Sequence, residues 1–309
     1  MPCDEPIKGF RSVEKHERTG KHLITFNPLK AINSQLPISF PCGRCVGCRI
    51  DKVDQWASRC THEAQMHEHN SFITLTYSNE HLPEDYSVNL RTFQLFMKRL
   101  RKDLDHIKVR FFACGEYGEQ NLRPHYHALL FGYAFPDREF YSTTTGGYPQ
   151  FSSAQLTRVW PYGRATIGNV TYSSAKYCAG YVMKKITGVP ANSYYLRTHP
   201  LTGQAVQVEP EFATMSGKPG IGLSWFRKFK EEAFPSDFIV VDGAQKPVPQ
   251  YYLGKLQEDE RERISRRRKQ RAAQPDKKAN RTKERLAVRA FIKAERLKQG
   301  RRNLRDDDQ

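Results

Sequence analysis

No run of apolar residues in this 309-residue chain approaches the roughly 20 needed to cross a bilayer as a helix. Its opening residues lack the charged-then-apolar pattern of a secretory signal. An intracellular protein is therefore expected. No internal repeat is found, which sets solenoid and propeller architectures aside. A Gly-x-x-x-x-Gly-Lys-Ser/Thr phosphate loop is also missing, so no nucleotide-driven motor is expected within the chain. Acidic residues are in deficit: 33 Asp+Glu against 50 Lys+Arg give a formal net charge of +17 and a pI near 9.6. Such a balance draws polyanions through phosphate contacts and counterion release, which favours nucleic acid over a mere solubility device or a ribosome-like or membrane-surface protein, and says nothing about catalysis.

Cysteines are few and odd in number, seven in all, and three crowd into Cys42-Gly43-Arg44-Cys45-Val46-Gly47-Cys48. In an intracellular chain this spacing suits a metal better than disulfides. Two-residue gaps let thiolates converge on one tetrahedral ion, and a fourth ligand is then required. Cys3 is the first choice, with Cys60 or His62 behind it. The candidate is a structural zinc ion that staples a segment poor in apolar residues. The alternative is three ordinary turn cysteines.

Phe72–Tyr77 is β-branched and aromatic and reads as a strand, followed by a loop over Ser78–Pro83. Leu90, Phe93, Phe96, Met97, Leu100 and Leu104 recur at helical steps, with Arg91, Lys98, Arg99, Arg101 and Lys102 on the wet side. Val109–Cys114 and His125–Phe131 read as two strands of a hairpin, joined by a polar loop, Gly115–Pro124, that carries Glu116, Glu119 and Arg123. A short helix over Ser152–Trp160 and a strand over Arg164–Thr171 follow. Another helix runs from a cap at Ser173 or Ser174 through Lys185. This order predicts an α+β fold: an antiparallel sheet with helices packed on one face. Three segments are expected: 1–70, Cys-rich; 71–248, the main domain; and 249–309, a basic tail. Residues 255–309 hold 20 Lys+Arg against 10 Asp+Glu, read as a solvated segment that tracks phosphate and turns helical when bound.

Two constellations carry chemistry. In His125-Tyr126-His127, strand alternation sends both imidazoles to one face and the tyrosine to the other, towards apolar packing. The pair can bind one divalent ion, although strand histidines are more often satisfied by hydrogen bonds alone. Glu116, nine positions upstream, supplies a carboxylate across or near the hairpin, and Glu119 is its rival. Two histidines and one carboxylate leave positions open for a phosphate oxygen. In Tyr177-Cys178-Ala179-Gly180-Tyr181, helical spacing presents both phenols to the same place. By itself such a pair is usually core packing. Lys184 and Lys185 add cations beside the phenols, or else favour the helix C-terminus. Joined, the constellations describe a metal-assisted attack of tyrosine on a phosphodiester, leaving a 5′-phosphotyrosine and a free 3′-hydroxyl.

The strand Phe72–Tyr77, His125-Tyr126-His127 and Tyr177-x-x-x-Tyr181 come in the order of the HUH endonuclease superfamily. The two-tyrosine form resembles the rolling-circle replication initiators of microviruses. Gly115-Glu116-Tyr117-Gly118, Arg123-Pro124-His125, Met1-Pro2-Cys3 and Pro41–Arg49 resemble the gokushovirus-type branch. The resemblance covers about residues 40–190. It implies a ferredoxin- or palm-like sheet, magnesium or manganese on the histidines, and Tyr177 and Tyr181 as nucleophiles. It further implies the single-stranded origin of a phage genome as substrate, host helicase and DNA polymerase as partners, and the cytoplasm of the bacterial host as location. The tyrosine pair and the single pair of histidines fit relaxases and transposases of this class less well, while a plasmid initiator stays open. Two rivals lie outside it. A His-x-His metallohydrolase needs further ligands and forms no adduct. A non-catalytic basic nucleic-acid-binding protein would stack bases on aromatics such as Tyr194, Tyr195, Trp225, Phe226, Tyr251 and Tyr252.

Overall fold

The computed structural model describes residues 3–305 apart from 18–19, 21, 119–121, 145, 181–192 and 200–201, with 300–305 described as backbone alone. Contacts divide the chain into two units, residues 1–52 with 266–305, and residues 53–265. The first 52 residues thus cluster with the end of the chain. No described helix is long and apolar enough to cross a membrane.

In the larger unit the sheet is built from β4 (Asn70–Thr76), β5 (Arg110–Tyr117), β6 (Pro124–Phe131), β7 (Glu139–Thr143), β8 (Pro149–Ser152), β9 (Ala165–Gly168) and β12 (Phe212–Met215), while β10 (Leu196–Thr198) and β11 (Ala205–Gln207) pair with each other apart from it. The strand order is β12-β5-β6-β4-β9-β8-β7 and every pairing is antiparallel. Alternation along β6 explains the layers. Tyr126, Ala128 and Leu130 point to one face, where α2 (Leu90–Asp103) buries Phe93, Phe96, Met97 and Leu100 and α3 (Ala154–Val159) buries Leu156 and Val159. Leu129 and Phe131 point to the other, where α1 (Val46–Ala64) brings Val53, Ala57 and Cys60, and α4 (Tyr172–Gly180) brings Ala175, Cys178 and Ala179. Helices therefore cover both faces, not one as the element order suggested. Even the two helices read from the sequence, α2 and α4, lie on opposite faces, and α1 adds to the second; it was not legible because its buried apolar stripe, Val53, Ala57 and Cys60, is thin and it begins inside the cysteine motif.

Tyr126 lies in the apolar layer as expected, its hydroxyl donating to Asn89 O and accepting from the Asn89 N–H. Asn89 also caps α2 through its side chain. The aromatics offered as base-stacking platforms are mostly interior: Tyr195, Trp225, Phe226 and Tyr252 are buried, whereas Tyr194 is exposed. Their place in the core removes the main support for a stacking surface there.

In the smaller unit, β1 (Ile7–Lys15) pairs with β2 (His22–Thr25) on one side and β3 (Ile38–Phe40) on the other. The basic segment, expected to be flexible or helical, is helical over Glu258–Ala273, Pro275–Ala279 and Lys283–Arg305.

Candidate active site

The candidate chemistry sits on the sheet face that α4 covers. Strand β5 runs on to Tyr117, three residues beyond the sequence-based end at Cys114, so Glu116 is a strand residue and not a loop residue. Pairing places Glu116 directly opposite His125, and Cys114 opposite His127. On the other side of β6, Thr74 of β4 is opposite His127. All these side chains share one face by the period of two.

Glu116 Oε1 lies 2.8 Å from His125 Nε2 and 3.1 Å from His127 Nε2. The donor atoms of the three residues all fall within 4.8 Å of one another. The remaining ring nitrogens are held from behind: His125 Nδ1 is 3.0 Å from Arg123 O, and His127 Nδ1 is 3.0 Å from Thr74 Oγ1. A carbonyl only accepts, so Nδ1 of His125 carries the proton and Nε2 is the atom turned to Glu116. Lone pairs on Nε2 and on a carboxylate oxygen at this separation need a cation between them, a proton or a metal ion. This donor set, two imidazole nitrogens and one carboxylate, fits a divalent ion with coordination positions left open. Burial by itself would raise the Glu116 carboxyl. Hydrogen bonds from His125 and His127, and their charge, outweigh it and hold the group well below the ordinary carboxylate range. Glu116 and His127 are buried, while the His125 side chain is 14% exposed and opens the site to solvent. Among the described residues these three form the grouping; Glu119, the rival acid, lies outside them.

Tyr177 joins the site from α4. Thr171 precedes the helix, its Oγ1 accepting from the Ser174 N–H while Ser174 Oγ accepts from the Thr171 N–H. This reciprocal cap replaces the cap expected at Ser173 or Ser174, and it starts the helix earlier. Ala175, Cys178 and Ala179 are small enough to let α4 lie close against the sheet. Cys178 Sγ reaches the backbone carbonyls of Phe112 and His127 at 3.9 and 3.8 Å, and burial pushes its thiol well up. Asp54 of α1 pairs with Lys176 at 3.1 Å and accepts from the Tyr172 hydroxyl at 3.2 Å, fixing the helix from its other side. The half-buried Tyr177 ring then meets His127 edge-on, with centroids 5.0 Å apart and planes at 81°. Phe72 stacks on the same imidazole at 5.7 Å and 14°. Tyr181, Lys184 and Lys185 lie outside the described residues.

Four cysteines also come together in the smaller unit. Cys3, Cys42, Cys45 and Cys48 have their sulfurs within 4.8 Å of one another. Cys3 is thus the fourth member. Cys60 is instead buried in the core of the larger unit, and His62 stacks on Trp225 with ring centroids 3.5 Å apart. Sequence reasoning missed Thr74, Asp54 and Asp4, because each acts through a partner far along the chain.

A family model described as replication-associated protein ORF2/G2P matches residues 70–186, the span that holds Glu116, both histidines and both tyrosines. The chain is 32% identical over 261 residues to replication-associated protein VP4 of Bdellovibrio phage phiMH2K, covering 82% of this chain and 76% of that protein. It is 36% identical over 235 residues to replication-associated protein ORF2 of Spiroplasma virus 4, covering 72% and 68%. Replication-associated protein ORF4 of Chlamydia phage 1 is 28% identical over 255 residues, covering 79% and 60%. No solved structure matches. The chain belongs to the family of phage and virus replication-associated proteins that these relatives represent.

Proposed function

We propose that this protein is an HUH-type nickase that initiates rolling-circle replication of a single-stranded DNA phage genome. The observation that carries the reading is the edge-on contact of the Tyr177 ring with His127, one of the two imidazoles that meet on the buried Glu116 carboxylate. His125 Nε2, His127 Nε2 and Glu116 would hold a divalent ion, magnesium or manganese, which supplies Lewis-acid polarisation of the scissile phosphate when bound. Tyr177 is the nucleophile in this reading, and Tyr181, four residues on, is the second. The phenol oxygen bonds to phosphorus, the bond from phosphorus to the 3′-oxygen breaks, and the phenol proton passes in the end to that oxygen. The products are a 5′-phosphotyrosine and a free 3′-hydroxyl primer. One phosphoester bond replaces another, so the bond energy is kept for rejoining the strand. Lys184 and Lys185 are assigned to charge stabilisation near the phenols.

The catalytic work is assigned to residues 71–248, with 1–70 and 249–309 as appendages. The substrate is the single-stranded origin, and host helicase and DNA polymerase extend the primer in the cytoplasm of the bacterial host. Support comes from the family membership, which is replication-associated, and from the chemistry of the donor set. The test is a denaturing gel after incubation with labelled single-stranded oligonucleotides from the origin region and manganese. A protein–DNA adduct is expected. It should vanish with EDTA and fall by about 10³-fold or more with His127→Ala or with the Tyr177→Phe/Tyr181→Phe double variant. Cut DNA with no adduct would replace this reading with metal-dependent hydrolysis. Salt-dependent binding with neither product would leave a non-catalytic binding protein.

A further inference from the structure

The cysteine cluster has geometry of its own. Cys3 precedes β1, while Cys42 and Cys45 follow β3 and Cys48 lies in the first turn of α1. Cys3 Sγ and Cys45 Sγ are 3.8 Å apart. A disulfide needs about 2.0 Å, and all seven cysteines are free thiols. Four sulfurs placed about 2.3 Å from a central zinc ion form a tetrahedron with edges of about 3.8 Å, which is the Cys3–Cys45 spacing. Backbone amides are aimed at the sulfurs: Cys42 N–H at Cys3 Sγ (3.3 Å), Asp4 N–H at Cys45 Sγ (3.3 Å) and Cys45 N–H at Cys42 Sγ (3.2 Å). Such donors favour thiolate, the ligating form. Gly43 makes the turn after Cys42 with φ +77°, a conformation that resists a side chain. Cys3, Cys45 and Cys48 are buried.

Asp4 links this cluster to a distant helix. Besides its amide contact to Cys45, its Oδ2 accepts from the Gly47 N–H at 3.0 Å. Both carboxylate oxygens accept from Lys293 Nζ, at 2.6 and 2.9 Å, and the Asp4 side chain is fully buried. Lys293 belongs to the helix Lys283–Arg305, which carries nine Lys+Arg against two Asp+Glu. Four thiolates this close repel one another unless a cation joins them. If the cluster opens, the Cys45 contact that positions the Asp4 backbone is lost, and a buried carboxylate out of register costs far more than an exposed one.

We propose that Cys3, Cys42, Cys45 and Cys48 bind one zinc ion, and that this ion, by fixing Asp4, docks the basic helix Lys283–Arg305 onto the N-terminal segment. The helix is then a fixed cationic surface whose position depends on the metal.

The test uses the full-length protein purified under reducing conditions. Elemental analysis is expected to find one zinc ion per chain, released in step with mercurial titration of the thiols. Cobalt substitution should give the visible bands of a tetrahedral thiolate site. Cys48→Ser should lose both signals, and His127→Ala should keep them. Amide exchange across residues 283–299 reports docking. It should speed up by about tenfold or more when zinc is stripped, and equally in Lys293→Ala with zinc retained. Reduced protein that holds no metal, a bound iron with its thiolate absorption, or a disulfide among the four would overturn the zinc site. Exchange that is the same with and without zinc would overturn the docking. These readouts do not involve DNA cleavage, so failure of the nicking assay leaves them untouched.

Discussion

His127 is oriented by Thr74 Oγ1 on Nδ1, by Glu116 on Nε2, by the face of Phe72 and by the edge of Tyr177, among others. Removing the hydroxyl with Thr74→Val leaves Nδ1 buried beside a methyl group and frees the ring to turn. Groups that hold a ligating imidazole from behind are worth about 10–100-fold in metal affinity. The manganese concentration for half-maximal adduct formation should therefore rise by about that factor in Thr74→Val, with Thr74→Ser close to wild type. An unchanged manganese requirement would show that Thr74 only packs. The two histidines were legible because strand alternation is a local rule, and their shared face follows from the sequence spacing. Glu116 was legible as the carboxylate across or near the hairpin, with Glu119 as its rival; what the sequence left open was the register that sets it directly opposite His125, because β5 outlasts its apolar run. Thr74 was not legible at all. It is 53 positions from His127 and becomes its neighbour only when β4 pairs with β6.

At the scale of elements, α2 shows how a helix with a strong pattern is placed. Its apolar residues recur at three- and four-residue steps and all of Phe93, Phe96, Met97 and Leu100 are buried. Asn89 starts it, accepting from the Arg91 and Thr92 amides, and also meets Tyr126 on the sheet. Asn89→Ala should cost about 1 kcal/mol in urea unfolding, since the cap is lost but the backbone contacts to Tyr126 survive. A cost under about 0.3 kcal/mol would mean that water replaces the cap fully. Helix α1 shows the opposite case. Val53, Ala57 and Cys60 make a stripe too thin for periodicity to reveal, and tertiary packing decides it. The basic segment is likewise helical although its apolar stripe is thin. Its Lys293 contact to Asp4 spans 289 positions, beyond any local pattern.

For the whole molecule, an excess of 50 Lys+Arg over 33 Asp+Glu makes acid a hazard, because each carboxylate that takes up a proton adds to an already positive charge. Glu63 is a buried carboxylate outside the candidate site that ties three elements together. Its Oε1 accepts from Arg110 Nε at 2.5 Å and lies 3.5 Å from His67 Nε2, while Oε2 accepts from the Gly222 N–H at 2.6 Å. It thus joins α1, the start of β5 and the turn before the helix Leu223–Lys228. Burial tends to raise its carboxyl, but the bonds from His67, Gly222 and Arg110 prevail and lower it from the ordinary value of 4.5. A carboxyl depressed on folding stabilises the native state above its unfolded pKa, and that stability is lost as the pH falls through the lower, folded value. Glu63→Gln keeps the shape but carries no charge to lose. Wild type should be clearly more stable than Glu63→Gln at neutral pH, by urea midpoint. The gap should narrow as the pH drops below about 4.5, where only the wild type gives up an ionised partner. A gap that stays constant into strong acid would show that packing, not charge, is what Glu63 contributes.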